Sequence, residues 1–370
     1  MSDKYSVRSS HYSNLLLIAF SVLFSIGFIA CKLNGKPDNE LPIQSHSVIT
    51  GAGSSFANPI YSKMLSEFCT QTGIPTSYQA IGSSAGIKRL MSKSVDFGAS
   101  DAFLSNDDMS MFTSSVVEFP TCLGAVVITY NLSGDSTLRL TSDILADIYL
   151  GKITKWNDPI IKTENKGLQL PDLAITVVHR ADGSGTSYVF TDYLSKVNSE
   201  WRTKVGMAKL PNWPVGIEGD GNEGVASRVK STPGAIGYVE LVYALQKNIT
   251  FALLKNGSGK YIKASLESTS LAANVDIPAD TRISITNSSV ADAYPISSFT
   301  WVMLYKEQSY NDRSKLEAID LVKELSWMIT EGQQYTKALN YAPLPPKAVA
   351  AAKNVLASVT FAGTPVLKQE

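Results

Sequence analysis

Arg180-Ala181-Asp182-Gly183-Ser184-Gly185-Thr186-Ser187, near the middle of a 370-residue chain, is the stretch whose reading decides the fold. It follows the apolar run Ile175-Thr176-Val177-Val178, which reads as a strand. It precedes Tyr188 to Lys196, where apolar residues return at helical spacing. The eight residues are therefore a strand-to-helix turn, the joint from which α/β folds are built. Gly183 and Gly185 let the backbone turn tightly and come close to a ligand, and Ser184, Thr186 and Ser187 place hydroxyls and unpaired N–H groups at a helix start, which attracts anions. Arg180 adds a planar fork of donors suited to an oxyanion, with Asp182 two residues on to hold it in one orientation. An ordinary helix cap beside a surface ion pair fits the same residues.

Two further stretches repeat the pattern. Thr50-Gly51-Ala52-Gly53-Ser54-Ser55-Phe56 follows a short apolar start at Val48-Ile49 and opens a helix through Ile60, Met64, Leu65 and Phe68. Ile81-Gly82-Ser83-Ser84-Ala85-Gly86 follows strand-like Tyr78-Gln79-Ala80 and opens a helix through Ile87, Leu90 and Met91. One Gly/Ser turn is punctuation, whereas three at helix starts point to a shared ligand.

Downstream of the second turn, Ser94-Val95-Asp96-Phe97-Gly98-Ala99-Ser100-Asp101 reads as a short strand ending at a carboxylate, the end at which open α/β sheets bind ligands. A carboxylate beside an anion is useful only if the anion carries a proton, because an ionised carboxylate accepts hydrogen bonds and donates none. Phosphate near neutral pH has such a proton and sulfate has none. A turn or capping role is the plainer reading of Asp101.

Length suits two domains, and 44% hydrophobic with 18% charged residues describes a globular chain. Lys+Arg 33 balances Asp+Glu 33, so the chain has no overall basic field to hold nucleic acid. Any anion must be caught by local geometry. At the N-terminus, Lys4 and Arg8 precede an apolar run from Leu15 to Ala30, the pattern of a secretory signal, and the run is short of the roughly 20 apolar residues of a spanning helix. It ends in Phe28-Ile29-Ala30-Cys31, similar to a lipobox, which makes Cys31 the expected lipidated residue; plain secretion and an uncleaved anchor are the alternatives. Residues 1–31 are thus read as signal and 32–47 as a flexible tether. Cys69 and Cys122 are expected to be buried free thiols, although an oxidising envelope would permit a pair. Three histidines and no Cys-x-x-Cys give no zinc pattern.

The order of Gly51-Ala52-Gly53-Ser54-Ser55-Phe56, Ile81 to Gly86, Asp96 to Asp101, Asp147-Ile148-Tyr149-Leu150-Gly151-Lys152-Ile153-Thr154-Lys155-Trp156-Asn157-Asp158, Arg180 to Ser187 and Pro233-Gly234-Ala235-Ile236-Gly237-Tyr238-Val239-Glu240 resembles that of the periplasmic phosphate-binding proteins of bacterial phosphate ABC transporters. The likeness runs from about Val48 to Tyr341-Ala342-Pro343-Leu344-Pro345. It implies that Ser55, Phe56, Ser83, Ser184, Gly185 and Thr186 contact phosphate through hydroxyl and backbone N–H groups. Arg180 is then its ion-pair partner, Asp182 the orienting carboxylate and Asp101 the acceptor of its proton. Ser55 stands where threonine is common, keeping the hydroxyl, and His179 where a second arginine may occur.

The resemblance also implies an α/β type II periplasmic binding protein fold, with one lobe from 48–122 and 298–370 and the other from 123–297. Gly124 to Tyr130 and Pro295 to Tyr305 are the expected crossing segments. Helices at Arg313 to Tyr335 and Val349 to Val359 are expected to pack on the first lobe. A membrane permease and its ATPase are the implied partners of a monomer without cofactor, held in the cell envelope.

Three patterns compete. Gly82-Ser83-Ser84-Ala85-Gly86 fits the serine hydrolase pattern, with Asp101 and His179 following in a permissible order. Gly219-Asp220-Gly221-Asn222-Glu223-Gly224 fits a dinucleotide loop with Glu240 downstream, but Trp213-Pro214-Val215-Gly216 is a poor strand before it, and a loop capping a helix at Ala226 to Val229 is the expectation. Trp156, Trp213 and Tyr238 fit a base-stacking platform, yet without positive charge they are read as core and hinge packing. Other protonated tetrahedral oxyanions, such as arsenate, satisfy the same logic as phosphate.

Overall fold

The structure is a computed structural model and describes residues 46–134 and 137–367. The expected signal, Cys31 and all of the expected tether before residue 46 lie outside the described residues.

The first Gly/Ser corner is built from β1 (Ile49–Gly53), α1 (Asn58–Thr72), β2 (Thr76–Gln79), α2 (Ser83–Met91) and β3 (Phe97–Ser100). β1 runs parallel to both β2 and β3. Gly51, Ala52 and Gly53, expected in the turn, extend the strand instead, because Gly51 lies under the Phe97 ring, where any side chain would collide. α1 has Pro59 in its first turn, where a missing N–H costs nothing, and ends at Gly73 in the left-handed region.

A long strand, β4 (Val116–Tyr130), leads to a second parallel set: β5 (Thr176–Arg180), α3 (Gly185–Val197), β6 (Ile217–Gly219), α4 (Gly221–Ser231) and β7 (Ala235–Glu240). β5 pairs in parallel with β6 and β7. The chain returns along β8 (Ser297–Tyr305), antiparallel to β3 and β4, and ends in α5 (Lys315–Ile329) and α6 (Pro346–Ala357). The result is one eight-stranded sheet in the order β2-β1-β3-β8-β4-β7-β5-β6, two parallel triplets joined through an antiparallel pair. α5 packs on α1 and β1, and α6 on α5 and β4.

β4 is continuous where Gly124 to Tyr130 alone was expected. It pairs with β8 from Val116 to Ala125 and with β7 from Val126 to Tyr130. Pro120 cannot donate to a ladder, and the β4–β8 register slips opposite Thr300 and Trp301, as a bulge allows. α4 starts at Gly221, so Gly221 to Gly224, expected in a capping loop, make the first turn of the helix, while Gly219 ends β6 and Asp220 is the cap residue. Trp156 and Tyr238 are fully buried and Trp213 half-buried among Tyr149, Phe190 and Trp201, which places these aromatics in the core.

Cys122 is a buried free thiol within β4. Cys69, on α1, is therefore not joined to it, and the pairing of these two that an oxidising envelope would permit is not made.

Close packing of α2 on β1 depends on Gly86, where a Cβ would lie 2.4 Å from Gly53 Cα and 2.5 Å from the Ala52 carbonyl oxygen. Both obstacles are backbone. Gly86→Ala is expected to lose about 1–3 kcal/mol of stability, read from urea unfolding. An unchanged midpoint and slope would mean that helix and strand part without cost.

Candidate functional site

Arg180 is the last residue of β5, so its backbone is fixed by the sheet while its side chain projects past the strand end. Its N–H donates to the Tyr238 hydroxyl at 3.1 Å, which also shares a 2.6 Å hydrogen bond with Ser187 Oγ, tying β5, β7 and the first turn of α3 together. Arg180 as a whole is 2% exposed. Its Nε donates to Asp182 Oδ1 at 2.6 Å, Nη2 donates to Asp182 Oδ2, and Nη1 donates to Thr186 Oγ1 at 3.3 Å. Burial pushes the Asp182 carboxyl up, but hydrogen bonding and charge from Arg180, with the Gly221 N–H at 3.2 Å, hold it below the usual carboxylate range. Ser184 caps α3 by accepting from the Ser187 N–H at 3.1 Å.

Opposite this corner, Asp101 follows β3 and is 2% exposed. Its Oδ1 accepts from Ser54 Oγ at 2.5 Å and from Thr300 Oγ1 at 2.7 Å. Its Oδ2 faces Gly185, where a Cβ would stand 2.6 Å from that oxygen and 2.5 Å from Ser83 Oγ. Burial raises the carboxyl to about 6, against the lowering effects of Ser54, Thr300 and Arg180.

The two corners touch. The Ser84 N–H donates to the Gly183 carbonyl at 2.9 Å, and the Gly185 N–H donates to Ser83 Oγ at 3.0 Å. Asn222, at the start of α4, donates to Ser55 Oγ from its backbone at 3.3 Å and from Nδ2 at 3.1 Å, and Nδ2 also lies 3.1 Å from Thr186 Oγ1.

Counting lone pairs shows what this arrangement offers. A hydroxyl has one proton and two acceptor sites. Ser55 Oγ accepts twice from Asn222, Ser83 Oγ accepts from Gly185 and, at 3.4 Å, from Asp101 N–H, and Thr186 Oγ1 accepts from Arg180 and Asn222. Each is filled as an acceptor and has only its proton left to give. Among the described residues nothing accepts the Phe56 or Thr186 N–H. The corner is thus rich in donors, and Asp101 Oδ2 stands among them as an acceptor.

All nine sequence-derived residues fall on or beside these corners. Two of the expected backbone donors are engaged within the protein: Ser184 N–H donates to the Lys209 carbonyl at 2.8 Å, and Gly185 N–H donates to Ser83. Phe56 has its ring in the core and its carbonyl accepts from Tyr341 at 2.6 Å. Sequence reading missed Ser54, Asn222, Tyr238 and Thr300 as members of the site. Ser54 adjoined a residue already chosen and Asn222 sat in the dinucleotide-like run. Thr300 lies between Phe299 and Trp301 in a buried strand, where a hydroxyl carries no signal.

The competing patterns find no geometry. His179 alternates with Arg180 along β5 and so faces the other side, stacking on Trp213 with centroids 5.1 Å apart, away from Ser84. Glu240 is buried and caps the following helix by accepting from the Val242 N–H. The start of α4 is engaged by Asp182, Ser55 and Thr186. Trp156 donates to the Gly234 carbonyl at 2.9 Å inside the core, so no base-stacking face is presented.

Residues 41–331 match the PBP superfamily domain. The phosphate-binding protein PstS of Xylella fastidiosa strain 9a5c is 42% identical over 312 residues, covering 83% of this chain and 84% of that protein. Among solved structures, a high affinity periplasmic phosphate-binding protein bound with phosphate is similar with TM-score 0.66 and 19% identity, covering 84% of this chain and 93% of that one. An ABC-type phosphate transport receptor from Vibrio cholerae is similar with TM-score 0.51 and 18% identity, covering 80% and 99%. These two likenesses speak for the fold, whereas the 42% identity across most of both chains speaks for descent: the chain belongs to the PstS family of phosphate-binding proteins.

Proposed function

We propose that this protein captures inorganic phosphate in the cell envelope and hands it to the permease and ATPase of a phosphate ABC transporter. The observation that carries the reading is the single carboxylate oxygen of Asp101 set among hydroxyls that can only donate. A tetrahedral anion with one remaining proton satisfies both kinds of group at once, and a fully deprotonated one leaves Asp101 facing an oxygen. Ser55, Phe56, Ser83, Ser184, Gly185 and Thr186 would then line the anion, with Arg180 as its ion-pair partner and Asp182 holding that guanidinium. The names of the relatives support phosphate as the ligand, and the name of the Vibrio cholerae neighbour supports ABC transport. Arsenate carries the same proton and competes for the same groups.

Residues 48–122 with 298–370 and residues 123–297 act in this reading as two lobes. Ser55, Ser83 and Asp101 belong to one and Arg180, Ser184 and Thr186 to the other, so a ligand bonded to both walls favours the closed form by its differential affinity. Closure excludes water and strengthens each contact. Hydrogen bonds to charged groups contribute about 1.5–3 kcal/mol each, so a handful offsets the desolvation of the anion. Cys31 is the proposed site of a lipid anchor holding a monomer at the membrane.

Titration calorimetry on the purified protein tests the ligand, and sulfate binding as tightly as phosphate would defeat the reading. Arg180→Ala is expected to cost about 2–5 kcal/mol of phosphate affinity, and near wild-type binding would place the site elsewhere.

Asp101→Asn is expected to narrow the preference for phosphate over sulfate. Its second readout is stability without ligand. A folded pKa of about 6 lies above the unfolded value near 4, so the proton contributes stability that is complete below pH ~4 and lost as pH rises through 6. The loss is on the order of 3 kcal/mol, so the variant should resist urea better than wild type above pH ~7 and equally below pH ~4. Equal stability at both would remove the burial argument. Cys31→Ser is expected to shift the protein from membrane to soluble fractions, and unchanged membrane association would remove the anchor.

A further inference from the structure

Asn222 lies outside the set of groups proposed to touch the anion, yet it joins both corners to β7, the strand paired with β4. It is fully buried at the start of α4. Its Oδ1 accepts from the Glu240 N–H at 2.9 Å, and Glu240 ends β7 opposite Val126 of β4. A backbone N–H only donates, so this bond fixes which end of the amide is oxygen and turns the NH2 end toward the hydroxyls. Nδ2 then reaches Ser55 Oγ and Thr186 Oγ1, each at 3.1 Å, one from each side of the cleft.

We propose that Asn222 is a positioning residue that sets the polarity of the anion site: by filling lone pairs on Ser55 and Thr186 with its own protons, it obliges both hydroxyls to donate into the cleft. The inference rests on the phosphate reading and goes beyond it. A hydroxyl left to itself rotates and offers a lone pair as readily as a proton. Toward an anion the lone pair repels, so a site of free hydroxyls meets each ligand partly wrongly oriented. With both lone pairs of Ser55 taken by Asn222, and those of Thr186 by Asn222 and Arg180, that reorientation has been completed before the ligand arrives. The same amide links the two sides, so Ser55 is correctly turned only when the corners are together, whereas Thr186, on the same side as Asn222 and Arg180, is turned beforehand. At Ser55, polarity and closure are one event.

An isosteric reversal tests this. Asn222→Asp replaces the NH2 donor by an acceptor that draws both hydroxyl protons toward itself. Phosphate affinity by calorimetry at pH 8 is expected to fall roughly 100-fold relative to wild type. The ratio of wild-type to variant affinity should shrink at pH 5, where a protonated carboxyl can donate again. A merely structural defect would not follow pH in this way. Asn222→Ala, which leaves the hydroxyls free rather than reversed, is expected to lose about 10-fold, less than Asn222→Asp at pH 8.

Unfolding midpoints without ligand confirm that each variant is folded. Should Asn222→Asp fail to fold, Asn222→Ala decides by its affinity alone. Either folded variant binding phosphate within threefold of wild type at pH 8 would overturn the proposal, as would equal losses for the two. Failure of both to fold would overturn it too, by making Asn222 a folding residue. Absence of phosphate binding by the wild type would instead sink the functional reading, so the two failures are distinguishable.

Discussion

Arg180 is carried almost wholly out of water at the end of β5, and the surrounding structure answers that cost. A buried guanidinium is tolerated only when its charge is matched and its fork of N–H groups is occupied. Asp182 takes two of those donors and Thr186 a third, while Tyr238 fixes the backbone from which the side chain springs. Because Asp182 cancels the charge of Arg180 and Asp101 adds another negative group, the corner has no surplus of positive charge with which to attract an anion. Oriented N–H and O–H dipoles must do so instead. Attraction by dipoles falls off faster than attraction by charge, which makes fit more decisive than sign.

Fit is obtained by bringing backbones together. Ser84 bonds to Gly183 and Ser83 to Gly185 across the gap between the two parallel triplets, contacts that a side chain at Gly185 would prevent. The other wall is tuned from a distance. The bulge that accommodates Pro120 in β4 lies opposite Thr300 of β8, and Thr300 is one of two hydroxyls holding Asp101 Oδ1. That leaves Oδ2 turned to the cleft. A strand irregularity thus sits beside the carboxylate whose direction matters most.

What could be read from the sequence follows how far each determinant lies along the chain. The three Gly/Ser corners, Asp101 and the Arg180–Asp182 pair were legible because turn residues, helix caps and strand ends are written within a few neighbouring residues. Even there, Gly51 to Gly53 looked like turn residues and proved to be strand, since the reason for glycine was the Phe97 ring more than forty positions away. Thr300 and Asn222 were illegible for the same reason: the first meets Asp101 across 199 positions, the second meets Ser55 across 167. Asn222 was further hidden inside a glycine pattern with another meaning. The resemblance to a known family supplied the order of the corners, which local reading alone does not provide.

β4 has no slack segment between the two parallel triplets. Its ladder passes from β8 to β7 at Ala125 and Val126 without an unpaired residue. Any separation of the corners therefore has to be absorbed as distributed twist in hydrogen-bonded ribbons and cannot swing about a loose tether. Motion of that kind has few degrees of freedom. The walls of the cleft would return to the same alignment on each cycle, with little orientational search and little entropy to recover, which is the mechanical condition for a trap that must release its cargo as reproducibly as it catches it.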